Sequence, residues 1–223
     1  MSTSTPFPKR PKWPLVTAGV VLLVVAAVIG GWFLRGEQGG NPTGTPTTPS
    51  QTDPADGDGQ VDGCIGGPDR TPEMVLAAQE QADVASDEDG VAFAASLMRW
   101  LVQAPPEPAT DSQLDSITAP TADSSVREAV EDAGNDGANS DAARWVSITG
   151  GKWYIEATSA DELVVSLSLL PVINGDLNPE TRMLMTVSLS RAGGTWSWSG
   201  FEAQVREAAE MEEIGSPFAG GCG

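Results

Sequence analysis

Residues 15–34, LVTAGVVLLVVAAVIGGWFL, form a stretch of 20 residues without a charged side chain. A helix of that length just crosses a hydrocarbon core of about 30 Å, so the segment predicts one transmembrane helix. Lys9, Arg10 and Lys12 precede it with no acidic neighbour, whereas behind it only Arg35 is basic before acidic residues take over. The bias keeps the N-terminus cytoplasmic and sends the rest of the chain across the membrane. Trp13 and Trp32 stand at the two ends of the span, where indoles favour the headgroup level. The implied location is the cell membrane, single-pass. A cleaved signal peptide is the competing reading. The apolar run is longer than the usual core of roughly 7–15 residues, and Arg35-Gly36-Glu37-Gln38 offers no small-x-small cleavage site.

The expected organisation is then a basic cytoplasmic tail over 1–14, the span over 15–34, a polar tether over 35–63 and an extracytoplasmic domain over 64–223. The tether is Gly, Pro, Thr, Ser, Gln and Asp with almost no apolar residue, a composition that cannot bury enough surface to order itself. Asp56 and Asp58 stand in a D-x-D-G fragment of the calcium-loop kind. The frame puts Pro54 at the first ligand position and Ile65 at the twelfth, so a solvated acidic linker is the simpler reading.

Charge narrows function. The chain carries 31 acidic against 12 basic residues, a net charge of −19, which disfavours direct nucleic-acid binding because phosphate contacts need Lys and Arg. His is absent, removing the usual general base near neutral pH and the commonest transition-metal ligand. No cofactor and no metal are expected. Cys64 and Cys222 fall on the outer side of the proposed membrane, where disulfides persist, and bracket the folded region. As a bridge they close a loop worth on the order of 5 kcal/mol in the chain-entropy model; as two free thiols they would contribute nothing of the kind.

Within the domain the text is helical first. Thr71 can cap a helix with Pro72 and Glu73 in its first turn. A second helix over about 90–103 repeats Ala94, Leu97, Met98, Leu101 and Val102 on one face, with Asp89 as its expected cap and Pro105-Pro106 as its stop. Shorter helices are expected over 111–117 and 123–132. From Trp145 the period becomes two. Leu163, Val165, Leu167 and Leu169 alternate with Ser166 and Ser168, and Met183, Met185, Val187 and Leu189 with Thr186, Ser188 and Ser190. With Trp153-Tyr154-Ile155-Glu156 before and Trp196-Ser197-Trp198-Ser199 after, turn sequences join an antiparallel meander of about four strands. The expectation is an α+β layer fold: N-terminal helices on a curved four-stranded sheet, with the serine face the more exposed.

Such a sheet around helices leaves a conical pocket, and proton chemistry there would need Tyr154, Glu156 or Glu202, the strand-region candidates. None belongs to a recognisable catalytic pair, and the expectation is a non-enzyme. Trp100, Trp145, Trp153, Trp196 and Trp198 chiefly fill a core. Trp100, just off its helix stripe, is the candidate for a partner interface, together with the acidic tract Glu207, Glu210, Glu212 and Glu213.

The order of tail, span, tether and helices-then-strands domain resembles the bitopic assembly factor of type IV secretion and conjugation machines, whose outer domain has the cone-shaped nuclear-transport-factor fold. The strings Ala94-Ala95-Ser96-Leu97-Met98-Arg99-Trp100, Ser159-Ala160-Asp161-Glu162 and Ile214-Gly215-Ser216-Pro217-Phe218 are similar to those of accessory membrane proteins on integrative and conjugative elements of high-GC Gram-positive bacteria. The resemblance implies a scaffold without chemistry of its own in a DNA-transfer channel, held by one helix in the membrane and contacting other channel proteins. A homo-oligomer is left open. The alternative it allows is an accessory protein of lipid or small-molecule uptake, with an apolar ligand in the cone.

Overall fold

The computed structural model describes residues 61–122, 124–138, 142–202 and 204–222. The span at 15–34, its flanks Lys9, Arg10, Lys12, Trp13 and Trp32, and the tether with Asp56 and Asp58 lie outside the described residues. Among the described residues no helix is long and apolar enough to cross a membrane. The transmembrane helix of the expected fold, and the single-pass membrane location drawn from it, are corrected accordingly. The longest described helices have 15 residues and carry several acidic side chains, where a span needs about 20 apolar ones.

Local chemistry accounts for where the helices start. In α1 (Pro72–Gln81) the Thr71 side chain accepts the Met74 N–H at 3.2 Å, with Pro72 and Glu73 in the first turn as expected. α2 (Asp87–Leu101) begins earlier than its apolar stripe implies. Ser86, not Asp89, is the cap: its Oγ accepts the Asp89 N–H at 3.1 Å, and Asp87, Glu88 and Asp89 all face the positive helix end. α3 (Asp111–Ile117) closes with a capping box between Thr110 and Gln113, and α4 (Ser124–Ala138) follows.

The strands are β1 (Arg144–Thr158), β2 (Glu162–Ile173), β3 (Asp176–Leu177), β4 (Met183–Ser190) and β5 (Ser197–Glu202); α5 (Ala208–Ile214) and β6 (Ser216–Pro217) complete the chain. They form one antiparallel sheet in the order β5-β4-β2-β1-β6, with β3 paired to the end of β2. The α+β class is as expected, but the sheet has six strands rather than four. The two additions are two residues long, too short to leave an alternation in sequence. β3 exists because Asn174 and Gly175, at φ 53° and 90°, turn the chain back onto β2. β1 is also longer than expected. It runs through Gly150-Gly151 by way of a bulge between Ser147 and Lys152, where Gly150 takes φ 76°.

The helix-facing side of the sheet is dry. Leu163, Val165, Leu167, Leu169, Val187 and Leu189 are fully buried, on the face the alternation predicts, with Val165 opposite Val187 and Leu167 opposite Met185. Met185 is only partly buried. Helix α2 approaches so closely that a Cβ on Gly90 would lie 2.6 Å from Leu163 Cδ2 and 2.8 Å from Trp196 Cζ2. Ser166 and Ser188, expected to be exposed, are only 3% accessible. They still face away from the helices, but residues 204–215 return across that side and bury Met211 against it. A third layer, invisible to strand periodicity, thus covers the outer face.

Cys64 and Cys222 form a disulfide with Cα atoms 5.7 Å apart, joining positions 158 residues distant. Beside it the Ala219 N–H donates to Val61 O at 2.9 Å, so the two ends of the domain are stitched together by backbone as well as sulfur.

Candidate functional site

Sheet register brings the strand candidates together. Tyr154 on β1 lies opposite Ser166 on β2, Ser166 opposite Thr186 on β4, and Thr186 opposite Glu202 on β5, one row across the outer face. Glu156 lies further along β1. The Ser166 hydroxyl donates to Glu156 Oε1 at 2.7 Å and lies 3.0 Å from the Thr186 hydroxyl. Ser166 has one proton, so Thr186 is the donor of the second bond. At the other end Ser188 Oγ donates to Glu202 Oε1 at 2.9 Å.

Arg206 closes over this row from the returning segment. Its Nε donates to Glu156 Oε1 and Oε2 at 3.0 and 3.1 Å, and its Nη2 to Oε2 at 2.8 Å. Its Nη1 binds Glu210, four residues on, and its guanidinium carbon stands 4.9 Å from the Tyr154 ring centroid. The hydrogen bonds that Arg206 donates to Glu156 and then to Glu210 raise its pKa above its ordinary value. With both carboxylate oxygens in a guanidinium fork and a hydroxyl on Oε1, Glu156 is arranged as a fixed charge, not as a base aimed at a substrate. Nothing in the strand alternation pointed to Arg206. The available signal was its place as a lone cation in the acidic tract, four residues before Glu210.

The remaining acidic candidates divide. Glu212 pairs with Lys152 at 3.3 Å and Arg182 at 2.6 Å, whereas Glu207 and Glu213 are exposed. Trp100 is not at an interface: it is 1% accessible and its Nε1–H donates to Glu107 O at 2.8 Å. Its place off the apolar stripe does not expose it because the 102–110 connection folds back over that side. Trp196 and Trp198 are fully buried too, their indole N–H groups donating to Asp83 O at 3.1 Å and Gly200 O at 3.0 Å. These rings and Phe93 occupy the space where a conical pocket was expected. A surface depression of about 550 Å³ lies between α3 and α4, lined by Thr118, Ala119, Pro120, Ala122 and Val126, with the Asp115–Arg127 ion pair at its rim.

A second polar arrangement, on α2, escaped the sequence reading. Ser96 and Arg99 on the helix, and Gln103 just beyond its C-terminal end, all donate to backbone carbonyls of the 64–70 loop. Ser96 reaches Ile65 O at 2.9 Å, Gln103 binds Arg70 O, and Arg99 reaches Gly67, Pro68 and Asp69 O at 3.0, 2.7 and 2.9 Å. Arg99 is 1% accessible; burial, with Arg70 nearby, pushes its pKa down to about 10. The arrangement is a clamp on the loop that carries Cys64. Among the described residues no group of His, Cys, Asp or Glu side chains is assembled to hold a metal. Searches of protein-family models, curated proteins and solved structures return no match to this chain.

Proposed function

We propose that this domain is a non-catalytic scaffold that works by binding other proteins, and that its setting is the DNA-transfer apparatus to which the chain's local strings are similar. The observation that carries the reading is the filling of the helix–sheet interior by Trp100, Trp196, Trp198 and Phe93. A domain packed in this way offers its surface rather than a cavity, which favours a scaffold over a carrier of an apolar ligand. Surface charge adds the kind of partner. Arg127, Lys152, Arg182, Arg191 and Arg206 each pair with an acidic side chain of the same domain, so the exterior field is that of the many remaining carboxylates. Basic protein surfaces are attracted to it and nucleic acid is repelled.

The test is a mating assay in the organism that carries the gene. Clean deletion is expected to lower DNA transfer by at least about tenfold. A folded Glu202→Gln variant is expected to leave transfer within about twofold, since it removes no catalytic group. Unchanged transfer on deletion overturns the assignment, and a large loss from that folded variant overturns the non-catalytic part of it.

A further inference from the structure

The returning segment 204–215 holds the sheet weakly. It buries one apolar side chain there, Met211, while Val205 and Ile214 stay 57% and 39% exposed. The rest of its hold is polar: Arg206 on Glu156, and Glu212 on Lys152 and Arg182. The Glu212 pairs are partly exposed and contribute little to stability, and with a single apolar side chain buried this layer opens at lower cost than the apolar one beneath the helices. β6 and the Cys64–Cys222 bridge keep it tethered when it does.

What the segment covers has a specific shape. Glu156 turns both oxygens toward one guanidinium, Ser166 holds the carboxylate from behind, and the Tyr154 ring gives the guanidinium a face. A planar fork and an aromatic face are the features that recognise arginine in preference to lysine. Arg206 can also leave without being stranded, because Glu210 stays beside it.

We infer that Glu156, Ser166 and Tyr154 form an arginine-binding site for a basic segment of a partner protein, kept closed in the free protein by Arg206 of its own C-terminal segment. The inference rests on the scaffold reading and names its point of contact. Charge complementarity selects the occupant: a net charge of −19 draws a basic partner in, and its arginine exchanges with Arg206 on Glu156.

Tyr154 is the only tyrosine in the chain, so its ring resonances report on this site alone. The disulfide-intact full chain is titrated with N-acetyl-arginine amide and, separately, N-acetyl-lysine amide. The Arg206→Gln protein is expected to bind the arginine probe at least about fivefold tighter than the unaltered protein and at least about fivefold tighter than it binds the lysine probe. Adding Glu156→Gln should abolish the Tyr154 response. Equal affinity with and without Arg206, equal response to lysine, or a response that survives Glu156→Gln overturns the site. If Arg206→Gln does not fold, amide exchange on the unaltered protein decides. The arginine probe must speed exchange over 204–215 at least about threefold relative to the lysine probe and leave β2 and β4 unchanged; equal rates overturn it. Unchanged DNA transfer on clean deletion would strike the scaffold reading, whereas transfer lost on deletion while Tyr154 stays silent to both probes would strike this site alone.

Discussion

Arg99 and Arg206 belong to the two sides of one sheet and are held in opposite ways. Arg99, in the helix layer, is enclosed by the carbonyls of Gly67, Pro68 and Asp69, and burial lowers its pKa to about 10. Arg206, in the returning segment, is forked on Glu156, backed by Glu210 and keeps a quarter of its side chain accessible; the hydrogen bonds it donates to the two carboxylates raise its pKa. In the first case the protein tolerates a charge so that a loop can be clamped in a dry layer. In the second, charges are themselves the attachment. The helix side of the sheet is therefore held by shape and burial, and the outer side by groups that water, salt or another protein can replace.

The largest expected effect breaks the helix side. Trp196→Ala removes a fully buried ring that touches α2 at Gly90, and should cost about 3–5 kcal/mol in urea unfolding. A loss below about 1 kcal/mol would mean that the two sides do not differ as described.

Arg99 sharpens the contrast through pH. Below about pH 10 the group is protonated both folded and unfolded, and its burial cost is constant. Between about 10 and the ordinary arginine value the folded protein has released a proton that the unfolded chain still binds. Stability relative to an Arg99→Met reference should therefore rise with pH in that window, by about 1.4 kcal/mol per unit. Urea titrations of both proteins on either side of pH 10 measure it; a parallel course throughout would show that burial does not depress the group.

Glu212→Gln should give the smallest change. Its pairs with Lys152 and Arg182 are partly exposed, so removing the charge should cost under about 1 kcal/mol, with the difference fading as salt is added. A loss as large as that of Trp196→Ala would place the outer layer among the structural ones.

Legibility in the sequence follows the same division. α3 has the expected bounds, and the helix-facing residues of β2 and β4 are those the alternation picks out, because helix signals and strand faces are decided within a few residues. Trp100 was misplaced because its cover, the carbonyl of Glu107, comes from a connection without periodicity. The exposure expected for Ser166 and Ser188 failed for a related reason. Alternation tells which side a residue faces, but not that a later segment returns to cover that side. Of the site, Tyr154, Glu156 and Glu202 were visible as polar residues on strands; the Arg206 that completes it was not.

By itself the sequence determined the helix start at Thr71, the extent of α3, the two alternating strands, the acidic balance and the pairing of its only two cysteines. Each rests on local hydrogen bonding, on a two-residue period or on a count, none of which needs the rest of the chain. Tertiary structure alone decided that Arg206 meets Glu156 across 50 residues, that Arg99 clamps a loop some 30 residues before it, and that tryptophans fill the interior. A guanidinium is satisfied equally well by a carboxylate, a row of carbonyls or water, and only the three-dimensional path of the chain selects among them.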